Sequence, residues 1–134
     1  MRVCILGHGL SSLALAKALV NQNIYVEIIS FKKNQKLSLS RTLGISKSNI
    51  NFFNKNIINI EKLLWKLKKI EIYTDNLKNE KLLNFEKNDD QIFSIIKNYE
   101  LHRVLEKNLI KSKYFKKRYL KNVNLSFLKD YSII

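Results

Sequence analysis

The chain has no proline, three glycines, one cysteine, two histidines and four arginines among its 134 residues. A single cysteine, Cys4, excludes a disulfide framework and points to a reducing compartment, which makes the cytoplasm the expected location. Two histidines and one cysteine cannot assemble a structural zinc site, so no metal ligands are expected. No apolar run approaches the about 18 residues that a membrane-crossing helix needs. Arg2 and the apolar residues after it have the outline of a signal peptide, but His8, Ser11, Ser12 and Lys17 interrupt that stretch. The length suits one domain, or a piece of one. Folded, such a chain buries about two-thirds of its unfolded surface, enough for a core without staples.

What is abundant is lysine. The formal charge is +14, carried by 21 lysines and only four arginines. Lysine, asparagine and isoleucine together make up 54 residues. These three share AT-rich codons, so genome composition alone supplies much of the lysine. The charge is also spread along the chain, with +1 over residues 1–30, +9 over 31–70, −2 over 71–110 and +6 over 111–134. A nucleic-acid patch would cluster its bases on one element and favour arginine, whose planar fork matches phosphate. The composition therefore reads as a basic solvated surface with no specific nucleic-acid partner. A non-enzymatic basic binding module stays open as an alternative.

The first thirty residues are the most informative. Val3, Cys4, Ile5 and Leu6 form a short apolar run, the pattern of a parallel strand buried on both faces. Gly7-His8-Gly9 ends it. From Leu10 the spacing turns helical, with Leu10, Leu13, Ala14, Ala16, Ala18, Leu19 and Val20 apolar. Asn21-Gln22-Asn23 stops the helix, and Ile24 to Ile29 reads as a second strand. Strand, glycine turn, helix and strand make a βαβ unit over residues 1–30, with a right-handed crossover and a parallel sheet.

The turn is where chemistry can sit. Gly7-x-Gly9-x-x-Ser12 is a variant of the G-x-G-x-x-G dinucleotide fingerprint. Gly7 permits a tight turn, Gly9 leaves room for a pyrophosphate, and Ser12 is small enough for helix–strand packing. The free amides at the start of the helix, at Leu10, Ser11 and Ser12, would then face the phosphates. The second strand of such a unit usually ends in Asp or Glu, which binds the adenosine ribose. Here the residue is Ser30, a weaker partner, and Glu27 comes too early and should point off the strand. Ser30 with Lys32 or Lys33 could instead receive a 2′-phosphate, which leaves an NAD(P)-binding fragment of another oxidoreductase open.

Residues 31–40 read as a surface loop. Ser46 is placed to cap a helix through Phe53. Ile50, Phe53, Ile57, Ile60, Leu64 and Leu67 recur every three or four residues, so helix is expected over much of 47–67, broken around Asn54 to Asn59. Trp65 is expected in the core. Ile70 to Tyr73, residues 78–87 and Ile92 to Ile96 read as strands of a small inserted antiparallel sheet, so 41–97 is a helical and strand-bearing insertion. Asn98 is expected to cap an amphipathic helix over 98–112, with Leu101, Val104, Leu105 and Leu109 on its apolar face. Terminal strands are expected over 118–134, one through Val123, Leu125 and Phe127 and another from Tyr131 to Ile134. His8 is expected to face solvent, as is His102 on the polar side of the last helix, while Cys4 is an inert buried thiol. The fold class is thus α/β, Rossmann-like, with a parallel sheet and a small antiparallel one, and it reads as incomplete.

The order of the fingerprint, Arg41-Thr42-Leu43-Gly44-Ile45-Ser46 and then Asn98-Tyr99-Glu100-Leu101-His102-Arg103-Val104-Leu105 resembles the FAD-dependent aromatic hydroxylases. The ubiquinone-biosynthesis monooxygenases are the most similar branch. The resemblance implies that residues 1–134 are the N-terminal portion of one FAD-binding domain. It implies that Arg41 contacts FAD and that Asn98 reaches the flavin or its ribityl chain. It also implies an activity for the full-length parent, in which NAD(P)H reduces bound FAD and one oxygen of O₂ passes to an electron-rich aromatic ring. The family's later Asp-Gly and Gly-Asp motifs do not occur here, so this part alone is expected to bind FAD weakly and to be inactive. No residue of this chain stands out as a catalytic acid or base. A lipid-soluble quinone precursor and the basic surface together make a peripheral membrane contact a further expectation.

Overall fold

The computed structural model describes residues 1–31, 37–73, 81–86, 93–121 and 126–133. Strand β1 (Arg2–Leu6) leads through the glycine turn into α1 (Leu10–Asn21), and β2 (Tyr25–Ser30) returns beside β1. The two strands pair in parallel, with Val3 opposite Val26 and Leu6 opposite Ile29. Gly7 takes a φ of +113°, a conformation that side chains resist, and its N–H is bonded to the Ile29 carbonyl at 2.8 Å. That bond closes the end of the sheet where the chain must turn into α1.

A second sheet is antiparallel. It orders β3 (Thr42–Ser46), β7 (Phe93–Lys97) and β4 (Leu64–Leu67) with β7 in the middle. Between β3 and β4 lies α2 (Lys47–Asn56), and Ser46 caps it by accepting the Asn49 amide, as its position predicts. Gly44 lies against the Phe93 ring, so closely that a Cβ there would overlap it. A separate hairpin pairs β5 (Lys69–Tyr73) with β6 (Lys81–Glu86). Helix α3 (Asn98–Ile110) then runs back to the first sheet, where β8 (Phe115–Tyr119) adds to β2 in parallel. The parallel sheet therefore reads β1-β2-β8, and the mixed α/β class with a small antiparallel sheet is the observed one.

Several local expectations are corrected. Leu64 to Leu67 is strand, not helix, because pairing with β7 overrides a spacing that suits either form. Trp65 is 70% exposed rather than in the core, since it stands on the outer face of that strand. Phe127 belongs to a short 3₁₀ helix (Ser126–Asp130), and of the last expected strand only a bridge between Ile133 and Val3 forms. Val123 and Leu125 lie outside the described residues, as do Lys32 and Lys33. Asn98 is the first helical residue, not the cap, because its amide continues the β3–β7 ladder by donating to the Arg41 carbonyl at 3.0 Å.

One face of the parallel sheet packs under α1 and α3, with Val3, Leu13, Ala16, Val26, Ile28, Leu101, Leu105 and Leu109 buried together. Removing each such large apolar side chain from water contributes about 1.5–3 kcal/mol. The other face buries a carboxylate. Glu27 is 2% exposed, with Arg118 Nε at 2.7 Å from Oε1 and the Tyr131 hydroxyl donating to Oε2 at 2.5 Å. Arg118 also donates to the Tyr131 oxygen at 3.1 Å. Burial and the Glu27 carboxylate push the Tyr131 phenol up to about 12 and raise the neighbouring Cys4 thiol.

This network makes two stability predictions. Arg118→Met strands the Glu27 charge and should cost about 2–3 kcal/mol in urea unfolding, less than a fully buried pair because Arg118 is 36% exposed. Tyr131 holds its proton more tightly when folded than unfolded, where phenols titrate near 10. Its contribution is therefore intact below about pH 10 and lost as the pH rises toward 12. Tyr131→Phe should cost about 1 kcal/mol at neutral pH and flatten that alkaline decline, read as the difference between the two urea midpoint–pH curves.

Candidate functional site

Five of the eight residues singled out in the sequence meet at one cavity. It measures about 300 Å³ and is lined by Gly9, Leu10, Ser11, Arg41 and Asn98, together with His8, Leu37, Leu43 and His102. Gly9 is the N-cap of α1 and makes no side-chain cap, so the first amides of the helix have no capping partner from it. A Cβ built on Gly9 meets nothing within 4 Å, which means that the space beside the turn is open. Arg41 and Asn98 arrive together because the Arg41 carbonyl accepts the Asn98 amide. The Asn98 Oδ1 is buried with no hydrogen-bond partner among the described residues. A buried acceptor left this way costs about 1–3 kcal/mol, so a donor from outside the chain is the natural complement.

The other three residues do not line this cavity. Gly7 shapes the turn from beneath, and Ser12 packs by it, its Oγ 3.6 Å from the position of a Gly7 Cβ. Ser30 closes β2 beside the turn and is 6% exposed, with its carbonyl accepting the Leu120 amide at 3.0 Å. No carboxylate occupies that strand end. Glu27 does point away from the cavity, to the sheet's far face, where it is the buried partner of Arg118.

A polar cluster that the sequence reading missed lies beside the turn. Contrary to expectation, His102 is buried and His8 is half-buried with its side chain only 8% exposed, and the ring centroids lie 4.9 Å apart in an edge-on arrangement. The His102 Nε2 donates to the His8 carbonyl at 3.2 Å. His8 Nε2 lies 3.1 Å from Glu106 Oε1, within ion-pair range but out of line for a hydrogen bond. Lys117 of β8 donates to the same oxygen at 2.5 Å. Burial, then the Lys117 ammonium, holds His8 below the ordinary histidine range, so it is neutral at pH 7. Burial pushes Glu106 up, but Lys117 and the two histidines outweigh it and its carboxyl titrates low. Burial likewise opposes the charge on Lys117, and Glu106 and Tyr119 outweigh it, so that ammonium is held above its usual range. A signal for His102 was present, since residue 102 precedes Leu105 by three and Leu109 by seven and so shares their stripe.

A second cavity, of about 330 Å³, adjoins the first through Leu10, Ser11 and Leu43. Its walls are mostly apolar, from Ala14, Ile45, Phe52, Phe53, Ile96 and Leu101. Among the described residues no group of three or more His, Cys, Asp or Glu side chains is placed to hold a metal ion. Nor is any helix among them long and apolar enough to cross a membrane.

No family model and no curated protein matches the sequence. Solved structures do match the fold. The p-nitrophenol 4-monooxygenase PnpA from Pseudomonas putida superposes over 87% of this chain with a TM-score of 0.71 at 14% identity. PqsL from Pseudomonas aeruginosa, in complex with 2-aminobenzoylacetate, covers 89% with a TM-score of 0.71 at 16% identity. HpxO from Klebsiella pneumoniae, complexed with FAD and uric acid, covers 87% with a TM-score of 0.65 at 15% identity. The chain spans 31%, 33% and 30% of those proteins, about a third of each. At such identities the likeness is one of fold, and the fold is one that FAD-dependent monooxygenases share.

Proposed function

We propose that this chain forms the part of a flavin-dependent monooxygenase that holds the ADP moiety of FAD. In this reading the full-length parent hydroxylates an aromatic or quinone-precursor ring, with NAD(P)H as reductant. The observation that carries it is the meeting of a G-x-G-x-x-S turn, the start of α1, Arg41 and an orphaned Asn98 oxygen at one cavity. The residues fit the group. The open side of Gly9 and the first amides of α1 suit a pyrophosphate. Arg41 supplies a charge-assisted contact to it. The Asn98 Oδ1 can accept from a ribose or ribityl hydroxyl, which a phosphate could not offer. Ser30 gives the adenosine end only a hydroxyl, which makes that end the weaker half. When bound, FAD supplies the redox and oxygen-transfer chemistry. The chain's own residues bind and orient it, and none of them stands as an acid or base toward a substrate.

Calorimetric titration of the 134-residue chain with ADP, FAD and NADP tests this reading. ADP and FAD should compete for one site, and Gly9→Ser should weaken both by about tenfold or more because its side chain fills the pyrophosphate's space. Serine is a favoured N-cap, so the same variant should hold or gain a few tenths of a kcal/mol in stability. Arg41→Ala should cost about tenfold to a hundredfold in affinity, as loss of a hydrogen bond to a charged group does. Tighter binding of NADP than of FAD, or full affinity in Gly9→Ser, would overturn the reading.

A further inference from the structure

The buried stripe of α3 carries Leu101, Leu105 and Leu109, and in the middle of it an imidazole, His102, at 5% exposure. Burying a polar ring among leucines is unfavourable unless the ring is bonded. Its partner is not on its own helix. The bond runs from Nε2 to the carbonyl of His8, 94 positions away, at 3.2 Å. That carbonyl belongs to the His8–Gly9 peptide in the middle of the glycine turn.

A peptide bond is planar and trans, so its C=O and N–H point in opposite directions. Fixing the His8 oxygen toward α3 therefore fixes the Gly9 N–H away from α3. Gly9 is also the N-cap of α1, where a backbone donor adds to the positive end of the helix. The His8 ring packs against the His102 ring edge-on. The His102 Nδ1 has no hydrogen-bond partner among the described residues, and Glu106 Oε2, one turn along α3, lies 3.9 Å from it. Glu106 is in turn anchored to Lys117 of β8. The turn is thus braced from α3 and β8, as well as by the Gly7–Ile29 bond from β2.

We propose that His102 is a positioning residue, which sets the orientation of the Gly9 N–H for a phosphate bound at the turn by holding the His8 carbonyl against α3. The inference rests on the phosphate-binding reading of that turn.

Two substitutions separate this role from packing. His102→Leu fits the apolar stripe but has no donor, whereas His102→Gln keeps an N–H that can reach the same carbonyl. The probe is ADP, its affinity measured by calorimetry, with the ¹H–¹⁵N resonance of Gly9 followed in the unliganded protein. His102→Leu should weaken ADP by about tenfold and shift the Gly9 resonance, and His102→Gln should return the affinity to within about threefold of the parent. Thermal melting of the Leu variant should stay near that of the parent, because leucine suits its surroundings. Unchanged ADP affinity in His102→Leu, or equal losses in both variants, would overturn the role of His102 while leaving the phosphate site standing. Absence of ADP binding in the parent chain would instead remove the phosphate reading, and the inference with it.

Discussion

The packing of α3 on α1 is what turns two distant stretches of chain into a site. Leu13 and Ala16 of α1 and Leu101 and Leu105 of α3 share one buried cluster. The alanines of α1, at 14, 16 and 18, keep the helix slim on its packed sides and allow a close approach. With the helices in contact, the start of α1 stands beside the first turns of α3. The glycine turn then comes within hydrogen-bond range of His102, and the Asn98 side chain reaches the same cavity as Gly9 and Ser11. Loosening this contact would leave the βαβ unit intact as a piece of sheet and helix but would dissolve the cavity wall.

Strand β8 explains how so polar a sequence is accommodated around the parallel sheet. Neighbouring residues on a strand point to opposite faces. Lys117, opposite Ile28, turns to the helix side and meets Glu106, whereas Arg118, opposite Ile29, turns to the far side and meets Glu27. Two acids that would be costly alone are thereby each given a cation from adjacent positions of one strand. The far side is completed by Tyr131, bonded to Glu27, and by Arg2, whose guanidinium lies over the rings of Tyr25 and Tyr131 at 5.3 and 5.4 Å. The charge of the chain is therefore more than solvated surface, since part of it is structural.

The βαβ unit was legible because its signals are local. An apolar run, a glycine turn and a 3.6-residue spacing each act within a few positions of themselves. Ser46 was readable for the same reason, as a cap needs only the residues that follow it. Leu64 to Leu67 was not, because its state depends on β7, almost thirty positions away, and its spacing fits a strand as well as a helix. His102 was misplaced by its chemistry: polarity suggested solvent, whereas its position on the stripe placed it inside. Asn98 was half legible. Its residue type suggested a cap, but its amide donates to the Arg41 carbonyl, and the residue lines the cavity as the first of α3.

The two adjoining cavities also bear on what kind of ligand the chain suits. The one at the turn sets a guanidinium, an amide side chain, imidazole and the start of α1 among Leu10, Leu37 and Leu43, while its neighbour is walled chiefly by Ala14, Ile45, Phe53 and Ile96. Leu10, Ser11 and Leu43 line both, so the two cavities lie side by side. A free phosphate would use only the first cavity, and a simple apolar molecule only the second. A molecule with a charged, hydroxylated end and a flat apolar end would draw on electrostatics in one and on excluded water in the other. A dinucleotide that carries a fused aromatic ring has that division, so the difference between the walls agrees with the proposed reading of the glycine turn that borders the first cavity.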